Sequence, residues 1–395
     1  MRIIMYQPEP RAGLALYSHL LNLALNKKSV NTAMVTTTKY QFASRSLNNY
    51  EVIPLLKSYL TKNNNKFLKK MLLIYLHIYN IWKFTFFIIF NSYYKTNNII
   101  HYQLINYFTD LPFLIFQKVF TNKCFILTVH DVFPHKYFFN KKIENIFIKI
   151  KYFLFDHLII HSEENKKQIL EIYGADSNKI SIIPHGPYGP SEENLICQKK
   201  INSFKKRFEF CKENQLYGLF FGRIRENKGL DVLLKSIALI KKDLEKRFTL
   251  IIAGLGEISS YNKLIESLKI RKYVKIISKF ISYEDVEILF NICDFVLLPY
   301  KTFGSQSGVL ELALGYNKPI IVSDVGSLGE IVKKRKAGLI VKPNSPIDLS
   351  LSIRKFIEDK IILTNFSRSI KLTSNLTWED IAILTKKVYQ KFSQL

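Results

Sequence analysis

Residues 220–231 read FFGRIRENKGLD, and this stretch carries the strongest signal in the sequence. It closes a short apolar run at 219–222 and leads into residues 230–242, where apolar side chains recur at helical spacing. A glycine at a strand end lets the backbone approach a ligand, and the start of a helix offers unpaired N–H groups to an anion. Arg223 and Lys228 supply a planar fork and a point charge for a diphosphate. The stretch therefore predicts a diphosphate-binding strand–turn–helix unit, with a solvated basic loop as the alternative.

The same alternation of short apolar runs and longer periodic stretches continues along almost the whole chain. The predicted strands are 2–5, 33–36, 99–102, 125–130, 157–161, 180–184, 219–222, 250–254, 274–277, 295–299, 320–323 and 338–341. Strands that are buried on both faces and separated by helices are typical of doubly wound parallel sheets. The pattern restarts near residue 216, so the sequence predicts an α/β chain with two Rossmann-like domains.

The boundary between the domains is expected in the stretch PHGPYGPSEE at 184–193, which is too rich in proline and glycine for a helix or a central strand. We therefore predict an N-terminal domain over 1–186, a linker over 187–200 and a C-terminal domain over 201–376. Two doubly wound domains with this connection are expected to bind ligands at the carboxyl ends of their strands, in a cleft.

A second candidate anion site lies in the C-terminal domain. A predicted strand ends at Pro299, and a turn of small residues over 304–308 precedes another helix. Small residues leave backbone amides free to bind a phosphate, so we assign Ser307, Gly308 and the adjacent Val309 to the same ligand as the first motif. No Asp-x-Asp sequence occurs in the chain, and the histidines show no metal-ligand spacing, so we expect no metal and no other cofactor.

These motifs together resemble the family-four glycosyltransferases, which are retaining enzymes of the GT-B fold that use nucleotide sugars. The resembling segments are Gly222-Arg223, Lys228-Gly229, 252–257, 299–300, 306–308, 318–321 and 324–326 with Glu330, and, in the first domain, 129–131, Ser162 and 184–186. The Ser-Gln-Ser-Gly sequence at 305–308 resembles a subset of the family. The resemblance implies that residues 377–395 form a helix that crosses back onto the first domain.

The resemblance also implies a role for individual residues. Arg223 and Lys228 would stabilise the leaving diphosphate, and His130 would contact the donor sugar, although a structural histidine is the alternative at that position. The residues assigned to the nucleotide sugar are Gly222, Gly254, Ser307, Gly308, Val309, Glu311 and Glu330. Gly13 and Asp131 are assigned to the acceptor side. Glu330 could instead cap its helix, and His185 is expected to be structural.

The donor block departs from the family pattern at two glutamates. Their positions fall on Gly304 and Leu312, and Asn317 replaces a usual glycine. Glu311 lies one residue from the second position, which is a rotation of about 100° on a helix. Glu311 could therefore serve the ribose only if the helix is shifted locally.

One segment, 52–109, is basic and aromatic: it contains no Asp or Glu but seven lysines and fourteen aromatic residues. Within it, residues 71–90 are apolar over nearly the length of a membrane span, with His77, Asn80 and Lys83 on one helix face. A domain helix that packs on the sheet, a helix in the membrane interface and a true span all remain open.

Net charge and cysteine spacing limit the functions and the cellular compartment that we expect for this chain. The chain has 58 Lys plus Arg and 32 Asp plus Glu, a formal charge of +26, so an anionic partner is expected. Residues 1–186 carry 23 bases and 10 acids and the rest 35 and 22, so +13 falls on each part and nucleic-acid binding is disfavoured. Four cysteines without C-x-x-C spacing, Cys124, Cys197, Cys211 and Cys293, indicate a reducing compartment. We expect a cytoplasmic hexosyltransferase on the inner face of the cell membrane, extending a saccharide or lipid-linked saccharide of a surface polysaccharide; the alternative is a nucleotide-sugar-binding accessory subunit.

Overall fold

The computed structural model of this 395-residue chain describes residues 2–43, 49–58, 66–91, 99–134, 140–189, 198–208, 215–242, 247–302, 307–373 and 376–392. The chain forms two compact units. The first comprises Met1–Gly186 and Leu376–Leu395, and the second comprises Pro187–Asn375. Of the cysteines, Cys124 and Cys293 are free thiols, while Cys197 and Cys211 lie outside the described residues.

The first unit is built on a seven-stranded sheet in the order β3-β2-β1-β4-β5-β6-β7. Its strands are β1 (Arg2–Tyr6), β2 (Asn31–Thr37), β3 (Glu51–Leu56), β4 (Ile99–Tyr102), β5 (Cys124–Thr128), β6 (His157–Ile160) and β7 (Ile180–Ile182). Every neighbouring pair is parallel, because a helix or long connection returns the chain between most successive strands. The carboxyl ends of these strands therefore share one edge.

Helices cover the sheet of the first unit. They are α1 (Ala12–Lys27), α2 (Lys66–Phe90), α3 (Leu111–Phe120), α4 (Lys141–Leu154), α5 (Glu163–Tyr173) and the C-terminal α14 (Trp378–Phe392). Helix α14 packs against α1, with Ile381 and Tyr389 fully buried. The Nζ of Lys386 also donates to the Lys28 carbonyl at 2.7 Å. The last helix of the chain is thus part of the first unit.

The second unit contains a six-stranded parallel sheet in the order β10-β9-β8-β11-β12-β13. Its strands are β8 (Leu216–Phe221), β9 (Phe248–Ala253), β10 (Val274–Ile277), β11 (Phe295–Leu298), β12 (Ile320–Ser323) and β13 (Gly338–Val341). Its helices are α6 (Gln198–Arg207), α7 (Leu230–Ile240), α8 (Ser259–Ser267), α9 (Tyr283–Ile292), α10 (Gly308–Gly315), α11 (Leu328–Lys334), α12 (Pro346–Glu358) and α13 (Lys360–Thr373). Two doubly wound parallel sheets confirm the predicted fold class.

Besides shifts at the ends of several strands, three differences between the structure and the sequence predictions matter here. Strand β3 was not predicted, because Pro54 interrupts its run; it is an edge strand that pairs only with β2, where a missing N–H is tolerated. Strand β5 ends at Thr128, so His130 lies two residues beyond the strand that it was predicted to end. In the predicted linker, Tyr188 is buried and residues 198–200 already belong to α6.

Helix α2 has an unexpected orientation. It packs on β3 and α3, and Ile81, Phe84 and Ile88 belong to the hydrophobic core of the first unit. Asn80, from the predicted polar stripe, is fully buried and bonds the Lys57 backbone through both its oxygen (2.8 Å) and its nitrogen (2.9 Å). At Asn80 the predicted polar face therefore points into the protein, and an apolar face of the helix is exposed to solvent.

The exposed residues of that face are Phe67, Leu68, Met71, Leu72, Ile74, Tyr75, Ile78, Trp82, Phe86 and Phe90. Among the described residues, one helix is long and apolar enough to span a membrane by length and composition: Lys70–Phe90, with a mean hydropathy of 1.5 and one third of its most apolar 18-residue stretch buried in the protein. Neither quantity distinguishes a span from a core helix. The packing on β3 and α3 shows that α2 is a helix of this α/β unit.

Candidate functional site

The loop after β8 is built so that its backbone lies close to the next strand. Gly222 has a φ of 109° and Gly254, at the end of β9, has a φ of 153°, both in the region that favours glycine. A Cβ on Gly254 would lie 1.8 Å from the Gly222 carbonyl oxygen, so no larger residue fits there. Beyond this contact, Ile224 forms an isolated parallel bridge with Gly256. The two strand ends are therefore held together at the base of the cationic loop.

We expect Gly254→Ala to destabilise the second unit, because it combines backbone strain with a backbone clash. Positive-φ strain costs about 1–3 kcal/mol, and relief of the clash must separate two strand ends. The urea midpoint of unfolding should fall. Gly308→Ala is the matched control, since its Cβ would meet only Tyr188 Cε2 at an ordinary 3.7 Å. Equal midpoints for the two variants would contradict this account of the loop.

The cationic loop also contacts the segment after β11. Its short 3-10 helix, Glu226–Lys228, is followed by Gly229, whose φ of 68° starts α7. A Cβ on Gly229 would lie 1.9 Å from the Pro299 carbonyl oxygen, and Lys301 N donates to the Asn227 carbonyl at 2.9 Å. The two motifs that the sequence singled out are thus joined through their backbones, as expected for neighbouring strands of one sheet.

Tyr300 links the predicted cation to the predicted anion nest. The Nζ of Lys228 lies 3.7 Å from the centre of the Tyr300 ring, a distance at which a cation is attracted to the ring face. The Tyr300 hydroxyl lies 3.4 Å from Ser307 Oγ, and Ser307 caps α10 by accepting from Leu310 N at 3.3 Å. In the sequence, Tyr300 belongs to the segment 299–300 but has no assigned role. Its contact with Lys228 follows only from the fold, because the two residues come after different strands.

The remaining residues predicted for the nucleotide sugar lie at the same sheet edge. Arg223 is exposed, Lys228 is half-buried, and Gly308 and Val309 form the first turn of α10. Val309 Cγ2 would be 3.4 Å from a Cβ on Gly222. Gly304, Ser305 and Gln306 lie outside the described residues. The described part of the site is therefore a cationic loop beside a helix N-terminus.

Two carboxylates accompany this arrangement. Glu311 is half-buried in the first turn of α10, where desolvation raises its pKa to about 7, opposed by the charge of Arg335. Leu312, which occupies the register of the missing glutamate, is buried. Glu330 lies exposed in the first turn of α11, which is also where a carboxylate interacts favourably with the helix dipole. The roles predicted for the two carboxylates stay predictions.

In the first unit, His130 lies in a cluster of aromatic and polar side chains at the carboxyl edge of the sheet. Its Nε2 is 3.1 Å from Gln103 Oε1, its Nδ1 is 3.4 Å from His161 Nε2, and its ring packs edge-on to Tyr17 at 4.7 Å. Burial and the neighbouring histidines hold the pKa of His130 well below its usual value. Sequence reasoning missed Gln103 and His161, whose positions just past β4 and β6 were the available signal.

The other residues singled out in the first unit are Gly13, Asp131 and His185. Gly13 is exposed in the first turn of α1, and Asp131 is exposed next to His130. His185 packs on Tyr17 and Trp378, and its Nδ1 lies 2.7 Å from the Gly186 carbonyl oxygen. A Cβ on Gly186 would lie 2.6 Å from the Trp378 ring. These contacts agree with the structural role expected for His185.

Most of the second unit matches a family of known proteins. Residues 202–373 match the family model described as glycosyl transferases group 1. The second unit is therefore similar to the domain that this family model describes, and the fold class is GT-B. Two uncharacterized glycosyltransferases of Methanocaldococcus jannaschii are 25% and 28% identical to this chain over 244 and 243 residues. These matches cover 60% and 59% of this chain and 66% and 59% of the relatives, so the chain spans less than two thirds of their length.

Solved structures match over nearly the whole chain. Sucrose-phosphate synthase from Thermosynechococcus elongatus has a TM-score of 0.72 at 15% identity, covering 99% of this chain and 98% of that one. Anabaena HepE, solved with UDP, gives 0.67 at 16% identity, with both chains covered completely. WaaG, a glycosyltransferase involved in lipopolysaccharide biosynthesis, gives 0.66 at 14% identity and 99% coverage of each chain. At these identities, the likeness shows the shared fold.

Proposed function

We propose that this protein is a retaining, metal-independent glycosyltransferase that moves a hexose from a nucleoside diphosphate sugar to a saccharide acceptor. The observation that carries the proposal is the cationic loop of the second unit, whose Lys228 lies over Tyr300 beside the N-terminus of α10. In such a transfer the diphosphate leaves with increasing negative charge. Preorganised cations and backbone N–H groups at that position stabilise the transition state more than the substrate.

The cationic loop and the N-terminus of α10 have different roles in the proposed reaction. Arg223 and Lys228 balance the charge of the leaving diphosphate, while the amides of the first turn of α10 and its dipole attract the phosphate oxygens. Glu311, or Glu330 in the first turn of α11, would accept hydrogen bonds from hydroxyl groups of the nucleotide sugar. HepE, which was solved in complex with UDP, UDP-glucose, or UDP and glucose, supports a UDP-sugar as the first donor to test.

We also propose that the first unit attaches the protein to the inner face of an anionic membrane, where a lipid-linked acceptor of a surface polysaccharide is extended. Helix α3 packs against both α2 and α4, so the three helices are neighbours. Beyond the residues of α2 given above, their exposed apolar side chains are Ile115, Phe116, Val119, Phe120, Ile143, Ile146, Ile150 and Phe153. We call the exposed side of α2, α3 and α4 the α2–α4 face.

The charges of the α2–α4 face fit anionic headgroups. The three helices contain one carboxylate, Glu144, which is buried and accepts a hydrogen bond from the Tyr107 hydroxyl. Lys70, Lys141, Lys142 and Lys149 are exposed. A helix surface that combines apolar and aromatic residues with lysines is typical of binding at a membrane interface. The likeness to WaaG, which is involved in lipopolysaccharide biosynthesis, supports a surface-polysaccharide pathway.

A nucleotide-sugar-binding accessory subunit is the second candidate function. It is favoured by the donor helix, where buried Leu312 occupies the position of a family glutamate. Both candidates require the same nucleotide site, so they differ only in turnover.

The test begins with thermal unfolding in UDP, GDP and their sugars. A ligand at 100 times its dissociation constant stabilises the folded protein by about 2.7 kcal/mol. The nucleotide sugar that gives the largest shift is then supplied in labelled form with purified lipid-linked acceptors, with and without EDTA. We expect transfer at an unchanged rate in EDTA and, by proton NMR, retention of the anomeric configuration. Binding without transfer would favour the accessory subunit; a requirement for added metal or an inverted product would contradict the proposed mechanism.

A further inference from the structure

Four polar side chains form a continuous row at the carboxyl edge of the first-unit sheet. They are His101, Gln103, His130 and His161, which lie at or after the ends of three neighbouring strands, β4, β5 and β6. His101 Nε2 is 3.3 Å from Gln103 Nε2, and the contacts of His130 with Gln103 and His161 were given above. The row ends at Tyr389 of α14, whose hydroxyl is 2.6 Å from His101 Nδ1, and at the Ile183 carbonyl, 2.9 Å from His161 Nδ1.

The carbonyl end fixes the direction of the hydrogen bonds. A carbonyl oxygen only accepts, so His161 must hold a hydrogen on Nδ1. If His161 is neutral, its Nε2 then accepts, and His130 Nδ1 has to donate to it. A neutral His130 consequently accepts at Nε2. The group that faces Nε2 must therefore be the amide nitrogen of Gln103 rather than its oxygen.

The opposite end of the row is consistent with that direction. When the Gln103 nitrogen donates to His130, the Gln103 oxygen faces His101 Nε2, which donates, and His101 Nδ1 accepts from the Tyr389 hydroxyl. The nitrogen and oxygen of a side-chain amide have nearly the same shape, so a half-turn of the amide preserves the distances. His101 Nε2 also lies 2.7 Å from Thr128 Oγ1, so its one hydrogen is shared between the Gln103 and Thr128 oxygens. Every other contact in the row joins one donor to one acceptor, with all rings neutral.

We infer that Gln103 is a positioning residue that fixes the hydrogen of His130 on Nδ1 and makes the row a single ordered chain from Tyr389 to the Ile183 carbonyl. With the amide oxygen toward His130 instead, His130 Nε2 carries the hydrogen, and two acceptors meet at His161 unless that ring gains a proton. The orientation of Gln103 is thus coupled to the charge of the histidine row.

The environment of the row favours neutral histidine rings. The titratable groups that face His130 are His101, His161, His185 and Tyr17, and burial is the largest cause that holds the pKa of His130 well below its usual value. Burial lowers the pKa of His161 to about 4 and that of His101 to about 3. His130 therefore stays neutral through the physiological range. It would present its ring to the sugar rather than exchange a proton with it, a statement that rests on the proposed function.

The direct test is the tautomer of each ring in the full-length protein, measured by long-range proton–nitrogen NMR with ¹⁵N-labelled histidine at pH 7. We expect a hydrogen on Nδ1 in His130 and His161 and on Nε2 in His101. His130 with its hydrogen on Nε2 would overturn the inference. Because the measurement needs no donor or acceptor, it stands or falls independently of the proposed activity.

Gln103→Glu provides the second test, because a carboxylate only accepts. The hydrogen of His130 should move to Nε2, and an adjacent negative charge should raise the pKa of His130 by about one to three. Gln103→Leu, which removes both hydrogen bonds, is the matched variant and should leave the pKa of His130 low. His185, whose ring packs on Tyr17 and Trp378, serves as the internal reference. An unchanged tautomer of His130 in a folded Gln103→Glu protein would also overturn the inference.

Discussion

Lys228→Ala and Arg223→Ala are each expected to lower the rate of sugar transfer by about 100- to 1000-fold, the usual loss when one preorganised donor to a developing charge is removed. Both side chains belong to the loop between β8 and α7, and backbone hydrogen bonds hold the conformation of that loop. The fold should therefore survive. The measurement is kcat and KM with a labelled nucleotide sugar, together with the urea midpoint of each variant.

Lys235→Ala is the matched control for this prediction. Lys235 is an exposed lysine of α7 in the same unit, one turn of helix or more from the loop, and its loss should leave kcat within about twofold because exposed surface charges contribute little. If Lys228→Ala and Arg223→Ala both retained wild-type rates, the assignment of the diphosphate to this loop would be wrong. A fall shared equally by Lys235→Ala would indicate a general effect of net charge.

A related prediction concerns Tyr300, whose ring is expected to position the Lys228 cation. Its ring lies 3.7 Å from Lys228 Nζ, so Tyr300→Phe, which keeps a ring face and removes the hydroxyl, should retain most of the activity. Tyr300→Leu removes the ring face and should lower kcat by about tenfold or more, since misplacement of a catalytic group by about 1 Å is costly. Equal rates in the two variants would exclude a positioning role for the ring.

Trp82→Ser with Phe86→Ser is expected to lower binding to anionic vesicles by at least about tenfold. The two side chains are 45% and 44% exposed on α2. Full burial of such a side chain in an apolar medium is worth about 1.5–3 kcal/mol, and 1.4 kcal/mol is tenfold in affinity. Binding is measured by sedimentation with phosphatidylglycerol vesicles and compared with phosphatidylcholine vesicles.

Two further variants separate the apolar from the electrostatic contribution. Lys141→Gln with Lys142→Gln should weaken binding to anionic vesicles only, by about 1 kcal/mol per lysine, and added salt should reduce the difference. Ile347→Ser with Leu351→Ser, which are 64% and 55% exposed on α12, is the matched apolar control and should bind as the wild type does. Equal losses in the α2 and α12 variants, or no binding by the wild type, would contradict attachment through the α2–α4 face.

Much of the fold could be predicted because parallel strands are buried on both faces and read as unbroken apolar runs. The runs at 99–102, 274–277, 320–323 and 338–341 have the same bounds in the structure. Strand β3 could not be predicted in the same way, since Pro54 is tolerated there only because the strand lies at the sheet edge. That position depends on tertiary pairing, which no local pattern records.

The site was predictable to the extent that it is local in sequence. Gly222, Lys228 and Gly229 lie in the single connection between β8 and α7, and their strand–turn–helix context follows from periodicity. The contacts of Lys228 with Tyr300 and of His130 with Gln103 and His161 join different strands, so they follow only from strand order. The inward orientation of Asn80 was missed for another reason: a buried amide that satisfies the Lys57 backbone has the same sequence pattern as an exposed polar stripe.

The attachment of α14 to α1 has a consequence for how the protein is made. A ribosome releases residues 1–186 long before residues 376–395, yet both segments build the same unit. Until residues 376–395 have been made, the surfaces of α1 and β4 that Tyr389 and its neighbours later cover remain open to chaperones or to unwanted association. Maturation of the first unit therefore waits for synthesis of the second, and premature termination within the last helix would leave an unfinished amino-terminal half attached to a complete carboxyl-terminal one.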